Sequence, residues 1–159
     1  MGPRGLSWED MAVGDTLTTS GRTVTETDLV SFVTSAGFVE PLFLDARAPS
    51  ADGPYTGRLV PGALTFVLAE GLVIQTGVIH GTGLAFLGAD LRVVAPVYVG
   101  DTIQVEVEVT ASRASKTAGR GVVTTTNRVR NQRGHEVLVY TPIRLVRGRA
   151  DGGAGDGAR

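Results

Sequence analysis

The sequence predicts an α+β fold in which an antiparallel sheet wraps around one long, buried helix. Two observations predict it. From Ala63 to Ile74 almost every residue is apolar, broken only by Thr65, Glu70 and Gly71, directly after a sharp Pro61-Gly62 step. A surface helix shows one apolar stripe, whereas this one is apolar on most of its circumference and so needs a cover. The second half of the chain supplies four strand-like segments separated by turn signals, with Thr102 to Thr110 alternating apolar and polar without a fault.

In chain order, Ser7 to Asp15 reads as a turn that packs Trp8 on a core edge. Thr16 to Val24 is rich in Thr and predicts an edge strand. Thr25 suits a helix N-cap, Glu26 and Asp28 suit the positive end of its dipole, and Leu29, Val30, Phe32 and Val33 follow at helical spacing until Gly37. Phe38 to Tyr55, with Pro41, Pro49, Pro54 and the Asp52-Gly53 turn signal, predicts a loop. Pro61 fixes φ near the helical value at the start of the central helix. After it come strands over Thr82 to Val94, Thr102 to Thr110, Gly121 to Arg130 and His135 to Arg147. Ile103, Val105, Val107 and Val109 should point inward. Asn131 to Gly134 marks a hairpin, and tight turns between the strands predict a meander.

Length and composition narrow the function. One domain over residues 1–147 is expected, followed by a disordered tail over 148–159 that has nothing to bury. A net charge of −1 gives no reason to expect nucleic acid or an anionic membrane. There is no cysteine, which excludes disulfides, thiolate catalysis and zinc–thiolate sites. The apolar helix is too short to span a bilayer, which takes about twenty residues, and the N-terminus lacks a secretory pattern, so a cytoplasmic protein is expected. His80 and His135 have no second His or spaced carboxylate to suggest a metal site and read as surface residues. Arg113, Lys116 and Arg120 cluster at a strand turn and read as a mobile charged hairpin.

Three segments together resemble the MaoC-like, hotdog-fold family of (R)-specific enoyl-thioester hydratases and dehydratases. Ala36-Gly37-Phe38-Val39-Glu40-Pro41-Leu42-Phe43-Leu44-Asp45 is similar to that family's Gly-Asp-x-Asn-Pro-Leu-His-x-Asp loop. Val60-Pro61-Gly62-Ala63-Leu64 is similar to its Val-His-Gly-Met-Leu helix start, and Pro96-Val97-Tyr98-Val99-Gly100-Asp101-Thr102 to its Pro-Val-x-x-Gly-Asp-Thr turn. The resemblance runs from about Trp8 to Arg147. It implies a sheet wrapped around a helix, an edge-to-edge dimer, and a thioester of CoA or of a carrier-protein phosphopantetheine as ligand, with no other cofactor. The thioester carbonyl would lie at the N-terminus of the central helix, where free N–H groups stabilise a developing enolate oxygen.

The resemblance also implies a departure. The family's catalytic Asp and His fall on Phe38 and Phe43, neither of which moves a proton, and the His at the helix start falls on Pro61. Gly62 is kept, with its N–H. Phe38, Phe43, Pro61, Gly62 and Ala63 are therefore expected around the substrate, with Arg58 reaching CoA phosphates or standing as a solvated loop residue. Contact with CoA phosphates or a carrier arm is the alternative for Arg113, Lys116 and Arg120. This pattern is similar to the silent subunit of heterodimeric hotdog dehydratases, so a homodimer or a heterodimer with a dyad-bearing subunit is expected. Glu40 is a candidate substitute base, because a carboxylate against apolar neighbours becomes a better proton acceptor; a turn cap or partner contact is the alternative. Glu70 is the one charge in the helix, about a turn later than the catalytic Glu of related dehydratases. It is either a satisfied buried residue or the carboxylate of a hotdog thioesterase. A thioester-binding protein without turnover remains a third reading.

Overall fold

A computed structural model describes residues 4–51 and 53–149. Helix α4 spans Gly62–Gln75 with Pro61 as its N-cap, as its composition predicts. Leu64, Thr65, Leu68, Ala69, Leu72 and Val73 of α4 are buried. They pack on Ile103, Val105, Val107, Val129, Leu138 and Tyr140 from the inner face of a curved antiparallel sheet. Strands β1 (Thr16–Thr18), β2 (Arg22–Thr23), β3 (Leu59–Val60), β4 (Gly83–Val93), β5 (Val97–Tyr98), β6 (Thr102–Ala114), β7 (Arg120–Arg130) and β8 (Glu136–Arg147) follow in chain order.

The alternation in β6 is borne out: Ile103 and Val105 are wholly buried, Val107 and Val109 nearly so, and Gln104, Glu106 and Glu108 face water. The strand order corrects the expected meander. The path is β1-β6-β7-β8-β4, so β4 lies on the far edge against β8, from Gly83↔Val146 to Val93↔Leu138, and not beside β6. Pro96 explains the departure. Val94 and Ala95 both donate to Val137 O, but proline has no N–H to continue the ladder. The chain leaves β8 there and pairs β5 with β3, just before α4.

The predicted first strand is also broken. Thr19 Oγ1 accepts the Val105 N–H at 3.0 Å. A continuing strand would offer its carbonyl there, and the hydroxyl substitution separates β1 from β2, both on β6. Helix α1 (Glu26–Ala36) is capped as predicted: Asp28 N–H donates to Thr25 Oγ1 and Thr25 N–H to Asp28 Oδ2, and Gly37 closes it at φ 74°. The region read as loop holds two short helices, α2 (Pro41–Leu44) and α3 (Ala48–Ala51). Asp52 lies outside the described residues.

Trp8, in a 3-10 turn over Trp8–Asp10, packs on a second cluster of Met11, Val109, Val123 and Val146. Gly148 N–H donates to Gly119 O and Arg149 pairs with Asp10, so the expected tail is tied down at its first two residues. The rest of it, 150–159, lies outside the described residues.

The sheet wraps around α4 as expected and leaves one stripe of the helix open. Ala63, Val67 and Ile74 form an exposed stripe, Val67 and Ile74 being more than half exposed. Edge strand β4 also exposes Phe86, Leu87, Leu91 and Val93, with Phe86 edge-on to Phe66 of α4. No helix among the described residues is long and apolar enough to cross a membrane.

Candidate functional site

The site begins at Gly62, where the chain turns from β3 into α4. A Cβ on Gly62 would stand 2.7 Å from Val93 Cγ2, so a larger residue at the helix start would have to displace that exposed side chain of β4. The first amides of a helix have no intrahelical acceptor. Here they stand beside a cavity of about 350 Å³ lined by Phe43, Tyr55, Pro61, Gly62, Thr65 and Val93, among others. Among the described residues no carboxylate or imidazole lines it.

Phe43 enters this wall from α2, and Phe38 packs behind it with ring centroids 6.4 Å apart. Phe32 of α1 extends the row, 5.0 Å from Phe38. The residues expected around a substrate are therefore only partly brought together. Phe43, Pro61 and Gly62 line the cavity, Phe38 stands one ring behind, and Ala63 turns to the exposed stripe.

Arg58 is committed to protein partners. Its Nε and Nη2 donate to Glu26 Oε1 at 3.1 and 3.0 Å, and Nη1 donates to Phe43 O at 2.6 Å. It ties the α2 loop to α1 rather than standing solvated in a loop. Glu40 is exposed, not enclosed by apolar neighbours as a substitute base would be. Its carbonyl accepts from the Phe43 and Leu44 N–H groups, so its backbone, and not its side chain, caps the turn.

Glu70 lies about 12 Å further along the axis, at ~1.5 Å per residue. It is largely buried and accepts from Arg144 Nη2 through both oxygens, at 2.6 and 2.7 Å. This is the satisfied buried carboxylate weighed from the sequence. Around the pair runs a polar tract the sequence reading missed: Thr125 and Asn127 of β7, and Tyr140 and Arg144 of β8, all facing α4. Thr125 Oγ1 donates to Asn127 Oδ1 at 2.7 Å. Asn127 Nδ2 and Tyr140 Oη are buried without a partner. Burial pushes the Tyr140 hydroxyl well above its ordinary range; Asn127 opposes the shift and the charge of Glu70 adds to it. The tract was legible in principle, since Thr125 and Asn127 hold inward positions between Val123 and Val129.

His80 and His135 are exposed, as expected. Among the described residues no group of His, Cys, Asp and Glu is arranged to hold a metal ion.

A family model described as the FAS1-like dehydratase domain region matches residues 11–139. The (R)-specific enoyl-CoA hydratase of Aeromonas caviae is 35% identical over 107 residues, 67% of this chain and 75% of that protein. Protein MaoC of Klebsiella aerogenes is 36% identical over 101 residues, 62% of this chain; the match spans only 29% of that longer protein. Among solved structures, the MaoC-like dehydratase from Rhodospirillum rubrum superposes with a TM-score of 0.82 at 29% identity, covering 91% of this chain and 99% of that one.

Proposed function

Because the chain belongs to the MaoC-like, hotdog-fold family of acyl-thioester hydratases and dehydratases, we propose that it holds an acyl thioester of CoA or a carrier protein at the start of α4 without carrying the family's acid–base pair. It then serves as a substrate-shaping subunit. The observation that supports this reading is the contact of Phe38 with Phe43, the two residues that the motif resemblance aligns with that pair, beside a cavity with no carboxylate or imidazole in its wall among the described residues.

General acid and base groups each contribute ~10²–10⁴-fold, so a site without both retains binding and loses most of the hydration rate. The amides of Gly62 and Ala63 supply oxyanion donors, and Phe43, Thr65 and Val93 supply apolar walls. The exposed stripe on α4 and the apolar edge strand β4 are what an edge-to-edge partner covers. That partner is a second copy or a related subunit bearing the Asp and His, and in the latter case the partner performs the chemistry.

Titration of the purified chain with crotonyl-CoA and longer enoyl-CoAs tests the proposal. Saturable binding without hydration and without release of free thiol supports it. Hydration makes the chain an enzyme in its own right, and thiol release points to a thioesterase working through Glu70.

A further inference from the structure

A second cavity, of about 280 Å³, lies between the last turns of α4 and the sheet. Val73, Val123 and Val146 are among its apolar walls, Thr125 and Arg144 are its buried polar groups, and Asp15 and Thr16 stand at its exposed rim. Its volume is what about nine liquid waters occupy at ~30 Å³ each, room for a molecule of roughly ten heavy atoms.

Several buried donors in and beside this cavity lack acceptors. Arg144 is 7% exposed, and its Nη2 serves Glu70. Its Nε and Nη1, which carry three more N–H groups, have no hydrogen-bond partner among the described residues, and the guanidinium lies over the Phe86 ring, 5.8 Å from its centroid. Next to it Asn127 Nδ2 and Tyr140 Oη, both on wholly buried residues, also lack acceptors. Glu70 is the one carboxylate paired with this tract, and each of its oxygens already accepts from Arg144 Nη2.

Charge decides what kind of acceptor completes the site. The guanidinium is already neutralised by Glu70, and Asp15 adds a negative charge at the rim. A second anion would be uncompensated against valine walls, which is costly. A neutral oxygen satisfies the spare donors without that cost.

We propose that this cavity binds a mostly apolar molecule of about ten heavy atoms carrying a neutral acceptor oxygen (a ketone, ester or alcohol), held by the Nε and Nη1 groups of Arg144. The molecule is either free or the far part of an acyl chain whose thioester sits at the start of α4. The second source rests on the thioester reading; the first does not.

Calorimetric titration of the full chain with 2-octanone and octanoate tests the free source, and titration with 9-oxodecanoyl-CoA and decanoyl-CoA tests the acyl source. The expected result is a preference of at least tenfold for the oxo compound in one or both pairs. Arg144→Lys, which keeps a cation opposite Glu70 and removes the spare donors, should abolish that preference. A wild-type crystal soaked in 2-octanone (or in 9-oxodecanoyl-CoA, where that pair shows the preference) should place the oxo oxygen within hydrogen-bond reach of Arg144, a readout that holds if the lysine variant fails to fold. A preference in the free pair alone assigns a free ligand, and a preference in the thioester pair assigns the acyl chain. Ketone binding with no thioester binding at all would sink the thioester reading and leave this site standing. Equal or tighter binding of octanoate and decanoyl-CoA, no saturable binding of any of the four, or a preference unchanged in Arg144→Lys would overturn the proposal.

Discussion

Phe38 and Phe43 meet ring to ring, 6.4 Å between centroids at an interplanar angle of 48°, at the two positions where the family resemblance expects an acid and a base. The contact makes the α2 loop part of the aromatic row that starts at Phe32. Arg58 fastens the same loop from behind through Phe43 O. The loop is thus built to be held as an apolar wall. Replacing Phe43 with Ala should weaken crotonyl-CoA binding about tenfold, or ~1.4 kcal/mol, in a chain that still folds; an unchanged affinity by calorimetry would remove Phe43 from the site.

Gly121 and Trp8 set a steric condition on the far end of the sheet. A Cβ on Gly121 would fall 2.2 Å from Trp8 Cγ, so the indole lies directly on the strand. Gly121→Ala should force Trp8 off the Met11–Val146 cluster and cost ~1–3 kcal/mol. Trp8 is the sole tryptophan, so its emission should shift to the red in the folded variant. An unshifted spectrum with unchanged urea stability would show that the indole does not pack there.

The Glu70–Arg144 pair is buried enough for its loss to be felt. Glu70→Ala strands an arginine whose side chain is 9% exposed, and breaking such a pair from one side costs ~3–5 kcal/mol. Glu70→Ala with Arg144→Leu should recover most of that loss, since no charge is then left buried. A single variant within 1 kcal/mol of the parent by urea denaturation would show that water reaches the guanidinium.

Tyr140 gives the fold an alkaline limit. Burial holds its hydroxyl protonated above the ordinary tyrosine value, with Asn127 opposing and Glu70 reinforcing the shift. Above about pH 10 the unfolded chain releases this proton and the folded chain keeps it. The stabilisation is complete below about pH 10 and declines as pH rises beyond it. Tyr140→Phe should flatten that decline and also remove a hydroxyl that lacks a partner. Parallel stability curves for the two proteins from pH 9 to 11 would contradict this.

What the sequence made legible was local. The cap at Thr25, the αL glycine at Gly37, the inward valines of β6 and the Pro61-Gly62 start of α4 each depend on residues within a few positions, and all lie where the pattern puts them. The strand order was not legible, because periodicity assigns faces and not neighbours; Pro96 ending the β4 ladder is what diverts the chain. The break at Thr19 depends on a hydroxyl meeting Val105, 86 residues away. At the site, the two phenylalanines could be named from the motif. That Arg58 is bound to Glu26, and Glu70 to Arg144 across 74 residues, required the folded chain.

The most direct test follows the absorbance of crotonyl-CoA with the purified chain alone, at concentrations where calorimetry shows it bound. The account predicts a hydration rate indistinguishable from that of the buffer, with the thioester intact. Turnover above the buffer rate would contradict it, whether or not it survives Glu40→Gln, because the site would then be doing acid–base chemistry for which its wall displays no group.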